Sequence, residues 1–336
     1  MTMRHSCATP PDDAAVAAPP DAGSPAARRV NRPRADCTTD SAGGLTFRVR
    51  LCEGADEEAG APEVPESAAV LLRLRHQHGP DASLRLPLAR AAADGRLQAS
   101  LPSTTRLREG RWDAYLTLGD EEPQRLLPGV HDLRSLVGSA SVDTQAWLGV
   151  RIPYTTKYGN LAVRTWLRRP HAEAGALRVA DDAITLQGRL YGARLSATAC
   201  LEAHPRDAAA SPVRVPVRPD SEERSEPQAA APEHGTDTGH SVRDFAAELP
   251  LGSLLPGHRV WDLWLRPAED EEPVRLGRIL DDIPDKKRVF KYPSQRVTSR
   301  DGAAHSARPY YTINNNLSVQ VSVETLAEAE AEAEAE

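Results

Sequence analysis

The chain carries one element twice, as PYYTINNNLSV at residues 309–319 and as PYTTKYGNLAV at residues 153–163. Proline, tyrosine, threonine, asparagine, leucine and valine match in register at a separation of 156 residues. Internal repetition of this kind is the signature of a chain built from copies of one structural unit. The element therefore predicts further matches upstream of each copy.

Such matches occur, and they occur in the same order in both parts of the chain. They pair residues 45–47 with 184–186, 84–88 with 213–217, 101–102 with 249–250, 112–116 with 261–265, 121–123 with 271–273, and 125–126 with 275–276. Their separation varies along the chain, as expected when insertions fall in the loops between strands. The ordered matches indicate a tandem duplication.

The duplication predicts two modules, at residues 44–170 and 180–323, and each is long enough to bury a core of its own. Residues 1–43 contain few large apolar side chains, so we expect them to be disordered. A polar insert at residues 218–243 of the second module predicts a flexible loop. Residues 324–336 are mostly alternating Ala and Glu, which predicts a solvated tail.

Short segments that alternate apolar and polar residues predict β-strands throughout both modules. Residues 110–118 show the pattern best, because Trp112, Ala114, Leu116 and Leu118 fall on one face of a strand. A buried tryptophan beside a hairpin is typical of the core between two packed sheets. Without a long amphipathic helix, the sequence predicts an all-β protein of two tandem immunoglobulin-like β-sandwiches.

The composition argues against several classes of protein. A formal net charge of -7 gives the chain no overall basic character for nucleic acid. No apolar run approaches the roughly 20 residues that a membrane-spanning helix requires, and the N-terminus lacks an apolar signal region. The four cysteines form no Cys-x-x-Cys pair, which indicates neither zinc nor a disulfide framework. We expect a cytoplasmic protein with no cofactor, no metal, no nucleic-acid partner and no membrane span.

The repeated element has two interpretations. Its Asn and Gly residues tolerate left-handed backbone geometry, which predicts a tight turn before the last strand of each module. Alternatively, tyrosine rings and amide groups at one end of a sandwich would suit the hydroxyl and CH groups of a glycan. On this second interpretation the ligand-binding candidates are Tyr310, Tyr311, Asn314, Asn316, Arg308, Tyr154, Tyr158 and Asn160.

A basic stretch precedes the second copy of the element, with Lys-Lys-Arg at residues 286–288 followed by Lys291, Arg296 and Arg300. Such a stretch suits the phosphates of a polyanionic polymer or an anionic headgroup, and it is equally consistent with a solvated surface. The sequence contains no nucleophile elbow, P-loop, dinucleotide-binding glycine motif or His-Glu-x-x-His. We therefore assign no catalytic residue.

Two motifs carry a resemblance to a known family. They are Arg-Pro-Tyr-Tyr-Thr with Asn-Asn-Leu-Ser-Val within residues 308–319, and the Trp-Asp-x-Tyr/Trp-Leu strand at 112–116 and 261–265. They resemble the β-sandwich segments that accompany actinobacterial glycosyltransferases and CDP-glycerol glycerophosphotransferases of teichoic-acid-like polymer synthesis. The resemblance covers both modules but not the termini. It implies a role in the cell envelope, close to the assembly of cell-surface glycopolymers.

The sequence shows no nucleotide-sugar-binding α/β domain, which such transferases require. We therefore expect a non-catalytic accessory protein that binds a glycan, a polyol-phosphate polymer or a partner glycosyltransferase. The alternative is a glycosyl- or glycerophospho-transferase whose unrecognised active site lies between the modules. A third hypothesis is an interaction module that joins a partner through an exposed strand edge.

Overall fold

The computed structural model describes residues 32–51, 65–91, 96–137, 147–207, 211–219, 244–255 and 259–323. In these ranges the chain consists mainly of β-strands and contains one four-residue α-helix. The expectation of an all-β protein is confirmed. The predictions for residues 1–31, for residues 220–243 of the insert and for the tail at 324–336 fall outside the described residues, so they stay predictions.

We call the two duplicated parts the first repeat (strands β1 to β11) and the second repeat (β12 to β21). The first contains β1 (Arg34–Thr39), β2 (Leu45–Arg50), β3 (Ala69–Leu74), β4 (Ser83–Pro87), β5 (Ala89–Arg90), β6 (Leu97–Leu101), β7 (Gly110–Thr117), β8 (Gln124–Arg125), β9 (Leu127–Asp132), β10 (Leu148–Thr155) and β11 (Leu161–Arg168). The second contains β12 (His171–Ala180), β13 (Ala183–Tyr191), β14 (Cys200–Pro205), β15 (Val213–Pro219), β16 (Asp244–Pro250), β17 (Val260–Arg266), β18 (Val274–Gly277), β19 (Gln295–Thr298), β20 (Ala304–Tyr311) and β21 (Leu317–Val323), with helix α1 (Lys286–Val289) between β18 and β19.

The first repeat forms two sheets whose edges are joined. One sheet has the order β5-β6-β2-β1-β9, and the other has the order β10-β11-β7-β3-β4. Strands β4 and β5 are separated by one residue and pass from one sheet to the other. Strands β8 and β9 do the same, because β8 pairs with β7 while β9 pairs in parallel with β1. The hairpin β10–β11 continues this second sheet, because β11 pairs with the part of β7 that β8 does not cover.

The second repeat has the same pairing. Strands β14, β15, β16, β13, β12, β18 and β17 follow one another, and β17 also pairs with β14, so the seven strands close into a barrel. Strand β15 joins the two faces, because its first residues pair with β14 and its last residues with β16. The strands β21, β20 and β19 extend outward from β17. The second repeat is thus a closed ring of strands, whereas the first consists of two sheets that are linked where the chain passes from β4 to β5 and from β8 to β9.

Each repeat begins with a strand that the sequence did not predict. Strand β1 lies in the segment expected to be disordered, and that expectation is wrong for Arg34–Thr39. Ala35, Cys37 and Thr39 point into the core and alternate with half-exposed residues. Because these inward side chains are small, the alternation lacks the large apolar residues that reveal a strand in sequence. Strand β12 likewise occupies residues that, apart from Ala180, lie between the two predicted modules.

Each repeat has its own apolar core, and a third cluster joins the two. The first core contains Phe47 and Trp112, and the second contains Phe245 and Trp261. In the third cluster, Ile279 of the second repeat is fully buried against the hairpin β10–β11. The hairpin contributes Leu148, Val150, Ile152 and Trp166 to this contact.

Glu173 on β12 fixes the chain around Ile279. Its carboxylate accepts hydrogen bonds from the backbone N–H groups of Ile279, at 2.9 and 3.0 Å, and of Leu280, at 3.0 Å. Nε2 of the buried His171 lies 2.7 Å from the same carboxylate. This arrangement positions the segment after β18, which forms one wall of the groove described below.

Candidate functional site

The repeated element forms the same hairpin turn in both repeats. In the first, the Thr156 backbone N–H donates to the Asn160 carbonyl at 2.9 Å, and the Thr156 hydroxyl accepts from the Asn160 N–H at 3.1 Å. In the second, Thr312 and Asn316 make the same two bonds at 2.8 and 3.2 Å. These bonds account for the matching threonine and asparagine by local turn chemistry.

The turn needs one residue in the left-handed region. Gly159, with φ of 73°, and Asn315, with φ of 58°, occupy that position. Asn315 is also buried, where its Oδ1 accepts the N–H of Lys286 at 3.1 Å and its amide donates to the Pro284 carbonyl at 3.4 Å. The second turn therefore also holds the segment that leads into α1.

The candidate ligand-binding residues of the second repeat do not converge on one site. Tyr311 is fully buried against Phe290 and Tyr292, so its ring cannot face a ligand. Oδ1 of Asn314 accepts from Arg164 of the first repeat at 2.9 Å. Oδ1 of Asn316 accepts from Arg168, also of the first repeat, at 3.0 Å. The other two candidates lie elsewhere on the sheet: the Tyr310 hydroxyl accepts from Arg206 at 3.3 Å, and Arg308 is exposed on β20.

The burial of Tyr311 yields a first prediction. Tyr311→Ala is expected to lower the free energy of unfolding by about 3–5 kcal/mol, because it removes a large buried ring. Tyr311→Phe is expected to be neutral or stabilising, since the buried hydroxyl has no hydrogen-bond partner in the described part of the chain. Urea denaturation of both variants measures this. A Tyr311→Phe variant as unstable as Tyr311→Ala would contradict the packing.

The candidates of the first repeat border a groove between the two repeats, with a volume of about 1070 Å³. Tyr154, Tyr158 and Asn160 line it from the first repeat, and the second repeat contributes Ile313 and most residues of the segment 283–289. Six basic side chains and two carboxylates are among its described lining residues: Arg75, Arg111, Arg125, Lys157, Arg164 and Arg288, with Asp113 and Asp285. The groove is therefore cationic in a chain whose net charge is negative.

Three arginines lie side by side across the floor of this groove, and we call them the arginine row. Arg164 on β11 stands directly opposite Arg111 on β7, and Arg75, just after β3, donates its backbone N–H to the Arg111 carbonyl at 2.8 Å. Neighbouring strands are about 4.8 Å apart, so the row spans roughly 10 Å. Like charges directly opposite each other destabilise a sheet. An anion bound across the row would remove that repulsion.

Arg164 carries an uncompensated charge. It is buried, and Nη2 donates to Asn314 Oδ1 at 2.9 Å and to the Ile313 carbonyl at 3.5 Å, while no carboxylate of the described residues forms an ion pair with it. Its Nε has no partner there either. Burial and then the proximity of Arg111 lower the pKa of Arg164 to about 10. The guanidinium therefore stays charged at neutral pH.

Arg75, by contrast, has a counterion. Its Nη2 lies 2.6 Å from Oδ1 of Asp113 and its Nε lies 3.3 Å from Oδ2, and this bond raises the pKa of Arg75. Arg125 approaches the same carboxylate at 3.1 Å. One carboxylate thus serves two guanidinium groups, and this cluster also keeps a net positive charge.

The second repeat repeats the Arg–Asp–Arg cluster. Asp262 corresponds to Asp113, and Arg206 and Arg275 bind it at 2.6 and 2.8 Å. The Ser318 hydroxyl donates to the same carboxylate at 2.7 Å. Burial opposes ionisation of Asp262, but these partners prevail and lower its pKa.

The second repeat lacks the arginine row. The positions of Arg111 and Arg164 are taken by Val260 and Gln320, which stand opposite each other in the same register. The chain thus contains an internal comparison, in which one copy of the sheet carries the unpaired cations and the other does not. The uncharged pair also shows that the fold does not require arginine at these positions.

A smaller groove of about 640 Å³ lies beside Trp147, and it carries no comparable charge. Its buried cation, Arg151, donates to the backbone carbonyls of Gly43 at 2.8 Å, Ser103 at 3.1 Å and Thr105. These bonds hold loops together. The larger groove is therefore the stronger candidate site.

No protein-family model matches the sequence, and no curated protein shows significant similarity to it. The fold and the groove define an all-β protein of two repeats with a cationic groove between them. Over the described ranges, no helix is long and apolar enough to cross a membrane. In the same part of the chain, no group of three or more His, Cys, Asp or Glu side chains is arranged to hold a metal ion.

Proposed function

We propose that this protein is a non-catalytic accessory protein of cell-surface glycopolymer synthesis, and that it binds a polyol-phosphate polymer in the groove between the repeats. The arginine row supports this proposal. Guanidinium groups bind phosphate oxygens through paired N–H donors, and Arg111 and Arg164 have no carboxylate partner among the described residues. A phosphate lying between them would supply the missing charge.

The rim of the groove suits the polyol part of such a ligand. Tyr158 is 75% exposed at the tip of the turn, and the Lys157 ammonium lies 4.7 Å from the centre of its ring. Tyr154 lines the groove on the neighbouring strand. Aromatic faces pack well against CH groups while leaving the hydroxyl groups of a polyol in water. The groove thus offers guanidinium groups to phosphate on its floor and aromatic rings to the carbon chain at its rim.

The finer fold assignment is part of this proposal. We infer that each repeat is an immunoglobulin-like sandwich with an added C-terminal hairpin. The order β5-β6-β2-β1 in one sheet and β4-β3-β7-β8 in the other supports it, because these strands take the positions D-E-B-A and C′-C-F-G. The strands that change sheets close the ring.

Other ligands remain as alternatives to be tested. An uncharged glycan or a partner glycosyltransferase would engage the tyrosines without needing the arginine row. A transferase of glycosyl or glycerophospho type would place its active site between the repeats, where the groove lies. The Asp113 carboxylate is already engaged by two arginines, which disfavours a role as a general acid or base. A cytoplasmic location belongs to the same proposal.

Calorimetric titration of the full chain tests the function. The ligands are short glycerol-phosphate and ribitol-phosphate oligomers, an uncharged oligosaccharide of equal length, single-stranded DNA of equal charge, and CDP-glycerol. We expect saturable binding of the polyol-phosphate oligomers, weaker binding of DNA and none of the uncharged glycan. Tighter binding of the uncharged glycan would overturn the role of the arginine row. Turnover of CDP-glycerol would establish the transferase instead.

The arginine row gives a sharper prediction. Arg111→Gln is expected to lower the affinity for a polyol-phosphate oligomer by about tenfold, which corresponds to the loss of one charged hydrogen bond. The same change is expected to leave the free energy of unfolding unchanged or to raise it by about 0.5 kcal/mol, because it relieves the repulsion from Arg164.

Titration and urea denaturation of the same preparation measure both effects. Arg308→Gln is the matched control, since Arg308 is exposed on the corresponding face of the second repeat. We expect this control to change neither quantity. If Arg111→Gln lost stability and kept its affinity, Arg111 would be a structural residue.

A further inference from the structure

The groove continues beyond the arginine row. A depression of about 360 Å³ lies beside the turn that follows β3, and it shares Arg75, His76 and Asp113 with the groove. Because the two cavities have these wall residues in common, they form one continuous surface. Arg73, His78 and Tyr115 also line the depression.

Two guanidinium groups contact one aromatic ring at the junction of the two cavities. Tyr115 carries a guanidinium group close to its ring from each of two neighbours, Arg73 at 5.2 Å and Arg125 at 4.8 Å. Arg73 is exposed, and no described carboxylate forms an ion pair with it. Contact with an aromatic ring orients a guanidinium without consuming its N–H donors. Arg73 therefore remains able to bind an anion.

Basic groups also mark the opposite end of the groove. Lys157 of the hairpin turn and Arg288 of α1 in the second repeat both line it. Arg288 is 80% exposed and only loosely paired with Asp285, at 3.5 Å. Arg164, Arg111 and Arg75 thus follow one line across β11, β7 and the end of β3, and Lys157 and Arg288 line the same groove.

We infer that the groove and the depression form one track for a linear polyanion, which lies extended across β11, β7 and β3 and contacts several phosphates at once. This inference rests on the proposed function and adds the shape and length of the ligand. A pocket for a single phosphate would need its cations to converge on one point, whereas here they are distributed along a line. Each additional phosphate in register adds an ion contact and releases further counterions.

The test is titration of the full chain with inorganic phosphate, pyrophosphate and linear polyphosphates of increasing length. We expect affinity to rise by at least about tenfold from pyrophosphate to a chain that spans the track, as one added charged contact would give, and then to level off. The slope of log affinity against log salt is expected to steepen over the same lengths. Equal affinity for phosphate and for long chains would overturn the track while leaving anion binding intact. Absence of binding by every probe would overturn the proposed function as well.

Variants at one end and at the centre of the track distinguish it from a single pocket. Arg73→Gln is expected to lower the affinity for long polyphosphates by about tenfold and to leave that for pyrophosphate unchanged. Arg111→Gln is expected to weaken both, because it removes the centre of the row. Arg308→Gln serves as the control with no effect. If Arg73→Gln left long-chain affinity unchanged, the depression would not belong to the site.

Discussion

Replacement of Glu173 by alanine is expected to lower the free energy of unfolding by about 3–5 kcal/mol, because a half-buried carboxylate with several partners is lost. The change leaves the N–H groups of Ile279 and Leu280 without their acceptor. It also removes the partner of His171, whose Nδ1 is already buried without one among the described residues. Burial lowers the pKa of His171 despite the nearby carboxylate, so a neutral imidazole would stay in the cavity.

Urea denaturation followed by tryptophan fluorescence measures this effect. Asp244→Ala is the matched control, because Asp244 pairs with Arg189 and both side chains are more than 40% exposed. An exposed pair of this kind contributes less than about 1 kcal/mol. A loss in Glu173→Ala no larger than in the control would show that this carboxylate does not hold the repeats together. Weaker polyol-phosphate binding should accompany the instability, since the wall formed by residues 283–289 begins just beyond Leu280.

A second large effect is expected at Glu202, which is fully buried on β14. Its carboxylate accepts from Nε of Arg266 at 2.7 Å and Nε of Arg214 at 2.8 Å, and Nε2 of His204 lies 2.8 Å away. Glu202→Gln removes the charge and leaves the two guanidinium groups facing an amide. Breaking a buried ion pair from one side typically costs about 3–5 kcal/mol, and we expect a loss near the lower value because Arg214 is exposed.

The effect of Glu202 should depend on pH. Burial disfavours the charged form, but the bonds from Arg266, His204 and Arg214 prevail and lower its pKa from 4.5 to about 2. Because the folded pKa lies below the unfolded one, the stabilisation is complete above about pH 4.5 and is lost as the pH falls towards 2. The stability difference between the wild type and Glu202→Gln should shrink across this window.

Urea denaturation at several pH values between 2 and 7 measures whether the stability difference between the wild type and Glu202→Gln shrinks as the pH falls. Asp244→Asn is the control, because the pair of Asp244 with Arg189 is about 40% exposed on both sides and should contribute less than about 1 kcal/mol. A stability difference for Glu202→Gln that stays constant down to pH 2.5 would contradict a carboxylate held ionised by this network.

The duplication and the hairpin turn were predictable because their determinants are local. Thr156 and Thr312 each bond to an asparagine four residues later, so the pattern is visible in a short window of sequence. The all-β class was also predictable, since strand periodicity is local as well. The first strand was not, because Ala35 and Cys37 are inward-facing but small and resemble the low-complexity segment before them.

The arginine row was beyond sequence analysis for a physical reason. Arg75, Arg111 and Arg164 belong to three distant segments, and only the register of β11, β7 and β3 aligns them. The one available signal was the match of Asp113 with Asp262 and of the arginines at 125 and 275, since paired charges kept in both copies indicate a shared ion cluster.

Tyr311 illustrates the opposite error. Its tyrosine ring, next to the amide groups of the repeated element, suggested a binding surface for a glycan. The ring is buried because Phe290 and Tyr292 cover it. These two residues follow α1, in a segment between β18 and β19 that the matches with the first repeat did not include. Packing by such a segment cannot be inferred from the repeat itself.

The apolar contact at Ile279 has a consequence for biosynthesis. Synthesis of the hairpin β10–β11 ends about 110 residues before Ile279 is added, which at about 5–20 residues per second is a delay of roughly 5–20 s. During that time Trp166 and its neighbours have no cover from the second repeat. The nascent first repeat should therefore be a chaperone client, and translational pausing between the two repeats should increase its aggregation.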